Sequence, residues 1–286
     1  MSPAKVSPMS TDAHQIPVIG AVRFSVLTAG PSDFRKAAEL PIEQRARILF
    51  DPAHLETRFR TFEALTLPSL TAQTVENWRA VILYSDLLPQ SWRDRLLDLV
   101  APDPRILAVE MSPADAIAPT LHRVVCGIDE RCARRFAMFR LDDDDGLSSR
   151  FIERSQQLLP LSGSAAFGTT FPRGFLIGTT PGSRRISLAP FKRFGIGCGL
   201  TIVGPSSPDF GVFDLGVPHQ RVDEVVPTIS DSSEAAFVLL MHEQNDSGQD
   251  TGRHALLTKA KPIWLNAAKR RLGPSFAHLK LEELIG

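Results

Sequence analysis

Up to about residue 160 the apolar positions fall into strand-length runs separated by helical stripes. Arg23-Phe-Ser-Val-Leu-Thr28 predicts a short strand, which Ala29-Gly30-Pro31 ends. Leu55, Phe59, Phe62 and Leu65 recur at helical spacing, so residues 53–65 predict a helix with one buried face, which Pro68 should kink or restart. Ala80-Val-Ile-Leu-Tyr84 is apolar throughout, as in a parallel strand covered on both faces. Ser91, with Asp94 at capping-box spacing, predicts the start of a helix that packs through Leu96, Leu97 and Val100. Ile106–Val109 reads as a strand, and Leu121, Val124, Val125, Ile128 and Cys132 as a helical stripe. Phe136-Ala-Met-Phe-Arg-Leu141 is a further strand, followed by a helix through Phe151, Ile152, Ser155, Leu158 and Leu159. Strand and helix thus alternate four times, which predicts an α/β fold with a mostly parallel, doubly wound sheet.

The grammar changes after Pro160. Short strand-like pieces at 165–171, 175–178, 186–191 and 200–203 are separated by Gly and Pro, and Ala236-Phe-Val-Leu-Leu-Met241 reads as a last buried strand. Residues 262–272 carry a helical pattern through Leu265, Ala268 and Leu272. The expected organisation is a disordered tail at 1–21, a ligand-binding half at 22–160, and an irregular mixed half at 161–286 that ends in a helix. The two halves would form one continuous domain around a cleft.

Composition narrows the classes. Lys+Arg and Asp+Glu are both 32, so there is no bulk positive field for nucleic acid. Hydrophobic residues make up 43% and charged residues 22%, values that exclude wholesale disorder. No apolar run reaches the roughly 20 residues of a membrane span, and no signal core follows a basic start. Cys126, Cys132 and Cys198 are too few and too badly spaced for a disulfide framework or a zinc site, and read as reduced thiols of a cytoplasmic protein. The charge is unevenly spread. Between Arg154 and Pro208 there is no acid, yet Arg173, Arg184, Arg185, Lys192 and Arg193 lie there, and 253–271 repeats the pattern. This is either solvated surface or a basic rim for an anionic donor, acceptor or lipid headgroup.

The sharpest feature is Leu141-Asp142-Asp143-Asp144-Asp145-Gly146. Four carboxylates at a strand end repel one another unless a cation or an arginine sits among them. The carboxyl ends of parallel strands are also where open α/β sheets bind ligands. Oxygen ligands suit Mg²⁺ or Mn²⁺, and Asp142 and Asp144 would face one ion if the chain stays near-extended. An exposed acidic turn and an internal pair with Arg140 compete with that reading. An EF-hand does not, because Leu141 and Ile152 would occupy its first and twelfth positions. Gly195-Ile-Gly197-Cys-Gly199 is followed by a strand pattern and not a helix, so it is no dinucleotide loop. The chain has neither a Gly-x-Ser-x-Gly elbow nor a Walker loop. His242, at the end of the last apolar run, is either a structural donor or a metal ligand.

Three segments together resemble a GT-A glycosyltransferase of family 2. They are Thr66-Leu-Pro-Ser-Leu-Thr-Ala-Gln-Thr74, then Asn77-Trp78 with the strand ending Tyr84-Ser85-Asp86, and the Asp-x-Asp strand end at Leu141–Leu147. Leu49-Phe50-Asp51, Arg58-Phe59, Leu67-Pro68-Ser69-Leu70, Arg140–Asp145 and His242 with Asn245-Asp246-Ser247 are similar to the bacterial putative rhamnosyltransferase family. The resemblance spans about residues 22–250. It implies a GT-A-like fold and transfer of a sugar, plausibly rhamnose, from a nucleotide diphosphate donor to a saccharide or lipid-linked hydroxyl.

Residue by residue, it implies that Thr28, Arg58, Asp86 and Asp145 lie on the donor. Asp142, Asp144 and His242 would hold Mn²⁺ or Mg²⁺. No Glu-Asp pair of the family 2 type stands in the acceptor half, so the general base is sought among Asp209, Asp214, Asp223 and Glu224, with Asp223 favoured. Displacement would invert the anomeric centre. Arg173 or Arg184 could hold an anionic group, and peripheral contact with a membrane is compatible with the reading. A GT-A-like nucleotide-binding module without turnover and a metal-dependent nucleotidyltransferase are the alternatives.

Overall fold

The computed structural model describes residues 16–29, 40–162, 166–180, 182–207, 211–213, 215–242 and 251–285. In chain order the first part contains β1 (Val18–Phe24), α1 (Ile42–Leu49), α2 (Pro52–Thr61), α3 (Leu67–Thr71), β2 (Arg79–Ser85), α4 (Gln90–Val100), β3 (Ile106–Met111), α5 (Ile117–Ile128) and β4 (Arg135–Asp142). Then come β5 (Asp145–Leu147), α6 (Phe151–Leu158), β6 (Phe167–Thr170), β7 (Arg173–Thr179), β8 (Arg185–Lys192) and β9 (Thr201–Pro205). The chain continues through β10 (Thr228–Ser230), β11 (Phe237–Met241), α7 (Thr251–Lys259), β12 (Ile263–Trp264) and α8 (Leu265–Leu272).

The larger sheet has the order β10-β6-β9-β4-β1-β2-β3. β3, β2, β1 and β4 are all parallel, β9 runs antiparallel between β4 and β6, and β10 lies parallel to β6. All seven residues of β2 are buried, which is what an uninterrupted apolar run requires. Alternate side chains go to opposite faces. Val18, Val22, Phe24 and Ile82 pack with Phe59, Leu96 and Phe151 on one face. Ile19, Ala21, Val81 and Leu83 pack with Leu121 and Val125 on the other. The sheet is therefore doubly wound, and the fold is the α/β, GT-A-like one that the resemblance implied.

Several boundaries differ from the sequence pattern. β1 starts at Val18, inside the span assigned to the tail, because Val18, Ile19, Ala21 and Val22 fill a central strand between β2 and β4. Residues 1–15 lie outside the described residues. The strand ends at Phe24, and Ser25 turns the chain with φ 51°, so Thr28 lies four residues beyond the strand. Ser91 does not cap a helix. α4 begins one residue earlier, with Pro89 at its N-cap, and Asp94 accepts from Gln90 at 2.6 Å.

Pro68 stands in the first turn of α3, so the α-helix restarts there as the sequence pattern implied. Phe62–Thr66 widens into a π-helical segment that joins α2 to α3. Proline has no N–H to give the carbonyl four residues back. That carbonyl, Ala64 O, accepts instead from Lys280 N at 2.9 Å. Such π-segments concentrate at functional sites, and this one carries Thr66 toward the acidic loop.

The last apolar run does not join the large sheet, as continuous parallel packing would have had it. β11 belongs to a second sheet of order β12-β8-β7-β11-β5. There β11 runs parallel to β7 and antiparallel to the three-residue β5, with Leu239 opposite Asp145. This sheet builds its own core through Ile177, Ile186, Leu188, Val238 and Leu240 against Ala268 and Leu272 of α8.

Candidate active site

β1 lies between β2 and β4, although the chain runs from β1 to β2 to β3 before it returns to β4. The switch in strand order therefore falls between β1 and β4, and open α/β sheets bind ligands at the carboxyl ends flanking such a switch. The acidic segment starts at that point. β4 ends at Asp142, the chain turns at Asp143 and Asp144, and β5 begins at Asp145. Burial alternates along it: Asp143 and Asp145 are buried, while Asp142 and Asp144 are half-buried.

Each carboxylate has its own surroundings. Arg140 reaches Asp142 at 3.2 Å, and Arg23, its register partner on β1, approaches at 3.7 Å. The enclosed position pushes the Asp142 carboxyl up, but Arg140 and Arg23 outweigh this and hold it at about 2. Both guanidiniums also lie over the Phe213 ring, at 4.8 Å for Arg23 and 5.2 Å for Arg140. The internal pair with Arg140 is thus present.

Asp143 points the other way and takes Arg58 at 2.7 Å. Arg58 is aimed by its neighbour. Phe59 packs edge-to-face on Phe24, with ring centres 4.8 Å apart, and so fixes the rotation of α2 against β1. Burying such a ring contributes roughly 2–3 kcal/mol. Burial pushes Asp143 up to about 6 despite Arg58, with Asp144 and Asp142 adding to the rise. Arg58 Nε donates to His54 Nε2 at 3.3 Å, and burial, Arg58 and His242 press His54 down to about 4. His54 is therefore a neutral acceptor in this arrangement.

Asp144 meets His242, whose Nε2 donates to Oδ2 at 3.1 Å across 98 positions of sequence. The antiparallel pairing of β5 with β11 brings them together, not a shared edge of the parallel sheet. Nδ1 of His242 is buried without a hydrogen-bond partner among the described residues. Asp145 is 7% exposed, and burial with Asp144 and Asp142 pushes its carboxyl well above the ordinary range. Its carbonyl accepts from Thr66 Oγ1 at 2.9 Å, so the π-helical segment holds the backbone of the loop. Cys198 is also buried beside the cluster, and burial with the nearby acids pushes its thiol well up, so it stays protonated. None of the three cysteines is held in a disulfide.

The remaining residues named from sequence are more dispersed. Asp86 follows β2 at the same edge and is half-buried, its N–H bound to Met111 O at 2.9 Å. Thr28 is half-buried in the segment after β1. Asp223 and Glu224 are exposed on the 3-10 turn His219–Glu224, where Arg221 binds Glu224 at 2.6 Å. Asp209 and Asp214 lie outside the described residues, as do Asn245-Asp246-Ser247. Arg173 is exposed and bonds the Ser232 and Ser233 carbonyls, at the end of β7 remote from His242.

Sequence reasoning missed Arg23, His54 and His219 and gave Thr66 no role. His219 donates from Nδ1 to the Gly195 carbonyl and is pressed down by burial, with Arg140 contributing. Gly195 has φ +57°, and a Cβ there would meet the His219 carbonyl at 2.5 Å. The glycine-rich segment therefore seats His219 beside Arg140 and Asp142, which is why it looked like a ligand loop without being one. Only the β1–β4 register pairs Arg23 with Asp142, and that register is not readable from either strand alone.

A divalent cation can be tested against these donors. Adjacent ligands of an octahedral ion at 2.0–2.1 Å stand about 3.0 Å apart. Asp144 Oδ2 and His242 Nε2, 3.1 Å apart and hydrogen-bonded here, would have that spacing once the Nε2 proton gave way to an ion. Among the described residues no three His, Cys, Asp or Glu side chains converge on one ion. Two protein ligands are nevertheless ordinary for an ion that takes its other oxygens from substrate phosphates and water. Asp142 is committed to its two arginines in this structure.

The sequence matches the family described as putative rhamnosyl transferase over residues 17–254. No curated protein matches it. Among solved structures it is similar to S. aureus TarS 1-349 in complex with UDP-GlcNAc, at 8% identity and TM-score 0.45, covering 92% of this chain and 72% of that one. It is also similar to the same protein in complex with UDP, at 8% identity and TM-score 0.40, covering 90% and 70%. A third is a Bacillus anthracis putative glucose-1-phosphate thymidylyltransferase in complex with a sucrose, at 9% identity and TM-score 0.38, covering 85% and 96%. The chain belongs to the putative rhamnosyl transferase family and is a glycosyltransferase.

Proposed function

From that membership, we propose that this enzyme transfers a sugar, rhamnose in the first instance, from a nucleoside diphosphate donor to a hydroxyl acceptor with inversion. The observation that carries this reading is the acidic loop at the strand-order switch, with Asp144 and His242 at 3.1 Å. Asp144 and His242 hold Mg²⁺ or Mn²⁺, and an imidazole ligand favours Mn²⁺. Such an ion would supply positive charge to the departing diphosphate.

The chain's own groups do the rest. Asp142 holds Arg23 and Arg140 at the mouth of the switch, so two guanidiniums stand ready for phosphate oxygens at little cost in ordering. Asp86, at the end of β2, faces the ribose or base. Arg58 fixes Asp143 and with it the turn. Asp145, whose carboxyl is pushed up by burial and by Asp144 and Asp142, contacts a sugar hydroxyl. A carboxylate of the acceptor half takes the proton of the acceptor, a contribution of about 10²–10⁴-fold. Asp223 is exposed on the turn that also carries His219, and is our candidate for this base. Three cysteines outside any disulfide fit a cytoplasmic setting.

The test is release of nucleotide from a panel of nucleotide sugars, with Mn²⁺, Mg²⁺ or chelator, alongside thermal shifts. We expect slow hydrolysis of one deoxythymidine- or uridine-diphosphate sugar that depends on the ion. A ligand at about 100 times its Kd stabilises by roughly 2.7 kcal/mol. Binding without turnover across a broad acceptor panel would instead leave a binding module. Pyrophosphate release from a nucleoside triphosphate would make it a nucleotidyltransferase.

A further inference from the structure

Two stretches of this chain, 155–208 and 251–281, contain no acidic residue. The fold brings them together. β12 pairs antiparallel with β8, placing Trp264 opposite Arg185 at the margin of the small sheet. The Arg185 guanidinium lies 4.7 Å from the centre of the Trp264 ring, and Trp264 is 60% exposed. Arg184 precedes Arg185, Lys259 ends α7, and Lys261 lies in the short link into β12, all three of them exposed. None of these four cations has an ion-pair partner among the described residues.

We propose that this margin docks on an anionic lipid surface, with the Trp264 indole at headgroup level and the four cations against lipid phosphates. The formal net charge is zero, so attraction has to come from this patch and not from the molecule as a whole. Unpaired cations alone would suit any polyanion. The exposed indole narrows the choice, because its apolar body and polar N–H fit the membrane–water boundary. Lysine and arginine stems can lie along the acyl boundary while their heads stay in water. No helix among the described residues is long and apolar enough to cross a membrane, so the contact is peripheral.

Position strengthens the inference. Met241 lies beside Gly178 on β7, and Thr179 beside Ile186 on β8, so Trp264 and Arg185 share the sheet end that carries His242. Three strand spacings separate β12 from β11, about 14 Å. Docking would set the acidic loop close to the lipid face, where a lipid-linked hydroxyl could reach it. That last clause rests on the transferase reading; the docking itself does not.

The experiment is co-sedimentation of the full chain with vesicles of phosphatidylcholine alone or mixed with phosphatidylglycerol. Binding should require the anionic lipid and fall at high salt, since such attraction decays within a Debye length. Each basic residue near the surface contributes about fivefold in partitioning, so Lys259→Ala with Lys261→Ala should lower it roughly 25-fold. Tryptophan emission should shift to the blue on binding, and the shift should vanish in Trp264→Phe. Failure to bind mixed vesicles at low salt would overturn the proposal. So would equal partitioning of the double variant, or equal binding to soluble heparin with no preference for vesicles. Nucleotide release in solution is scored separately, so loss of docking and loss of transfer are told apart.

Discussion

The two sheets hold their charges in different ways. In the large sheet, Asp142 sits at a strand end and is matched by Arg140 on its own strand and Arg23 on the next. At the threshold of the small sheet, one residue before β5, Asp144 is two residues further on but answers to a histidine 98 positions away, held there by a three-residue strand. One carboxylate is held at about 2 by fixed cations, while the other faces an imidazole. A sequence motif that treats the two aspartates as equals therefore hides a division of labour. Asp142 organises arginines, and Asp144 is free to share a ligand with His242.

Exchanging the phenotypes of the pair would break this comparison most directly. Asp144→Asn should lower sugar-nucleotide turnover about 10²–10³-fold, the scale of one lost electrostatic contact to the developing charge. Its melting temperature should stay close to wild type. Asp142→Asn should instead cost about 1–2 kcal/mol of stability, between the exposed and buried limits, because two arginines lose their partner. If Asp142→Asn left stability intact and only Asp144→Asn unfolded the protein, the two roles would have been assigned the wrong way round.

Arg58→Met tests the buried side of the same loop. Asp143 has its folded value raised to about 6, above its unfolded range, so ionising it in the fold costs stability as pH rises through 6. Removing Arg58 raises that value further. The variant should lose about 3 kcal/mol near pH 8 and clearly less near pH 5, where Asp143 is protonated anyway. Urea melts at the two pH values measure this, and an equal loss at both would mean that Arg58 acts through packing alone.

Away from the site, Arg154 and Asp231 tie α6 to the segment before β11 at 2.7 Å. The surroundings of Asp231 push in both directions: burial raises it, while hydrogen bonds from Ser233 and Arg154 win and lower it. A lowered carboxylate supplies stability above its unfolded value and loses it as pH falls through the folded one. Asp231→Asn should cost about 1–2 kcal/mol at neutral pH. Its melting curve should merge with that of wild type as the medium is acidified below about pH 4. A gap that persists in acid would contradict the assignment.

Ser25→Gly should give the smallest effect. Ser25 is buried, has φ 51° and a hydroxyl with no partner among the described residues. Glycine removes both the steric cost and the orphan group, and its own chain entropy offsets part of the gain. A rise of up to about 1 kcal/mol is expected by thermal melting. A fall would mean that the hydroxyl is needed at the end of β1.

The parallel half was legible because its strands are apolar runs and its helices carry a stripe, both of which periodicity detects. Phe24, Phe59, Ile82 and Val125 fall where that pattern puts them. The second sheet was not legible as a sheet. β5 has three residues and β12 two, too few for a period, and their partners lie far along the chain. The acidic segment stood out as a site candidate from its charge alone. Its partners split: Arg140 is local and readable, whereas Arg23 and Arg58 depend on register and on helix rotation. The π-helical segment follows from Pro68 only once Lys280 is seen to supply the missing donor.

That donor has a consequence for the order in which the enzyme is made. The acidic loop is hemmed in by late residues: His278 Nε2 donates to Leu147 O at 3.1 Å across 131 positions, Ser149 N bonds Ser275 O, and Leu279 presses on Gly146. During synthesis the parallel half emerges first and can collapse on its own stripe of apolar residues. The loop that would handle the donor acquires its last supports only when residues 275–280 arrive. A nascent chain that lacks this segment can thus be largely folded and still inert, and competence waits for residues 275–280 to pack on the loop.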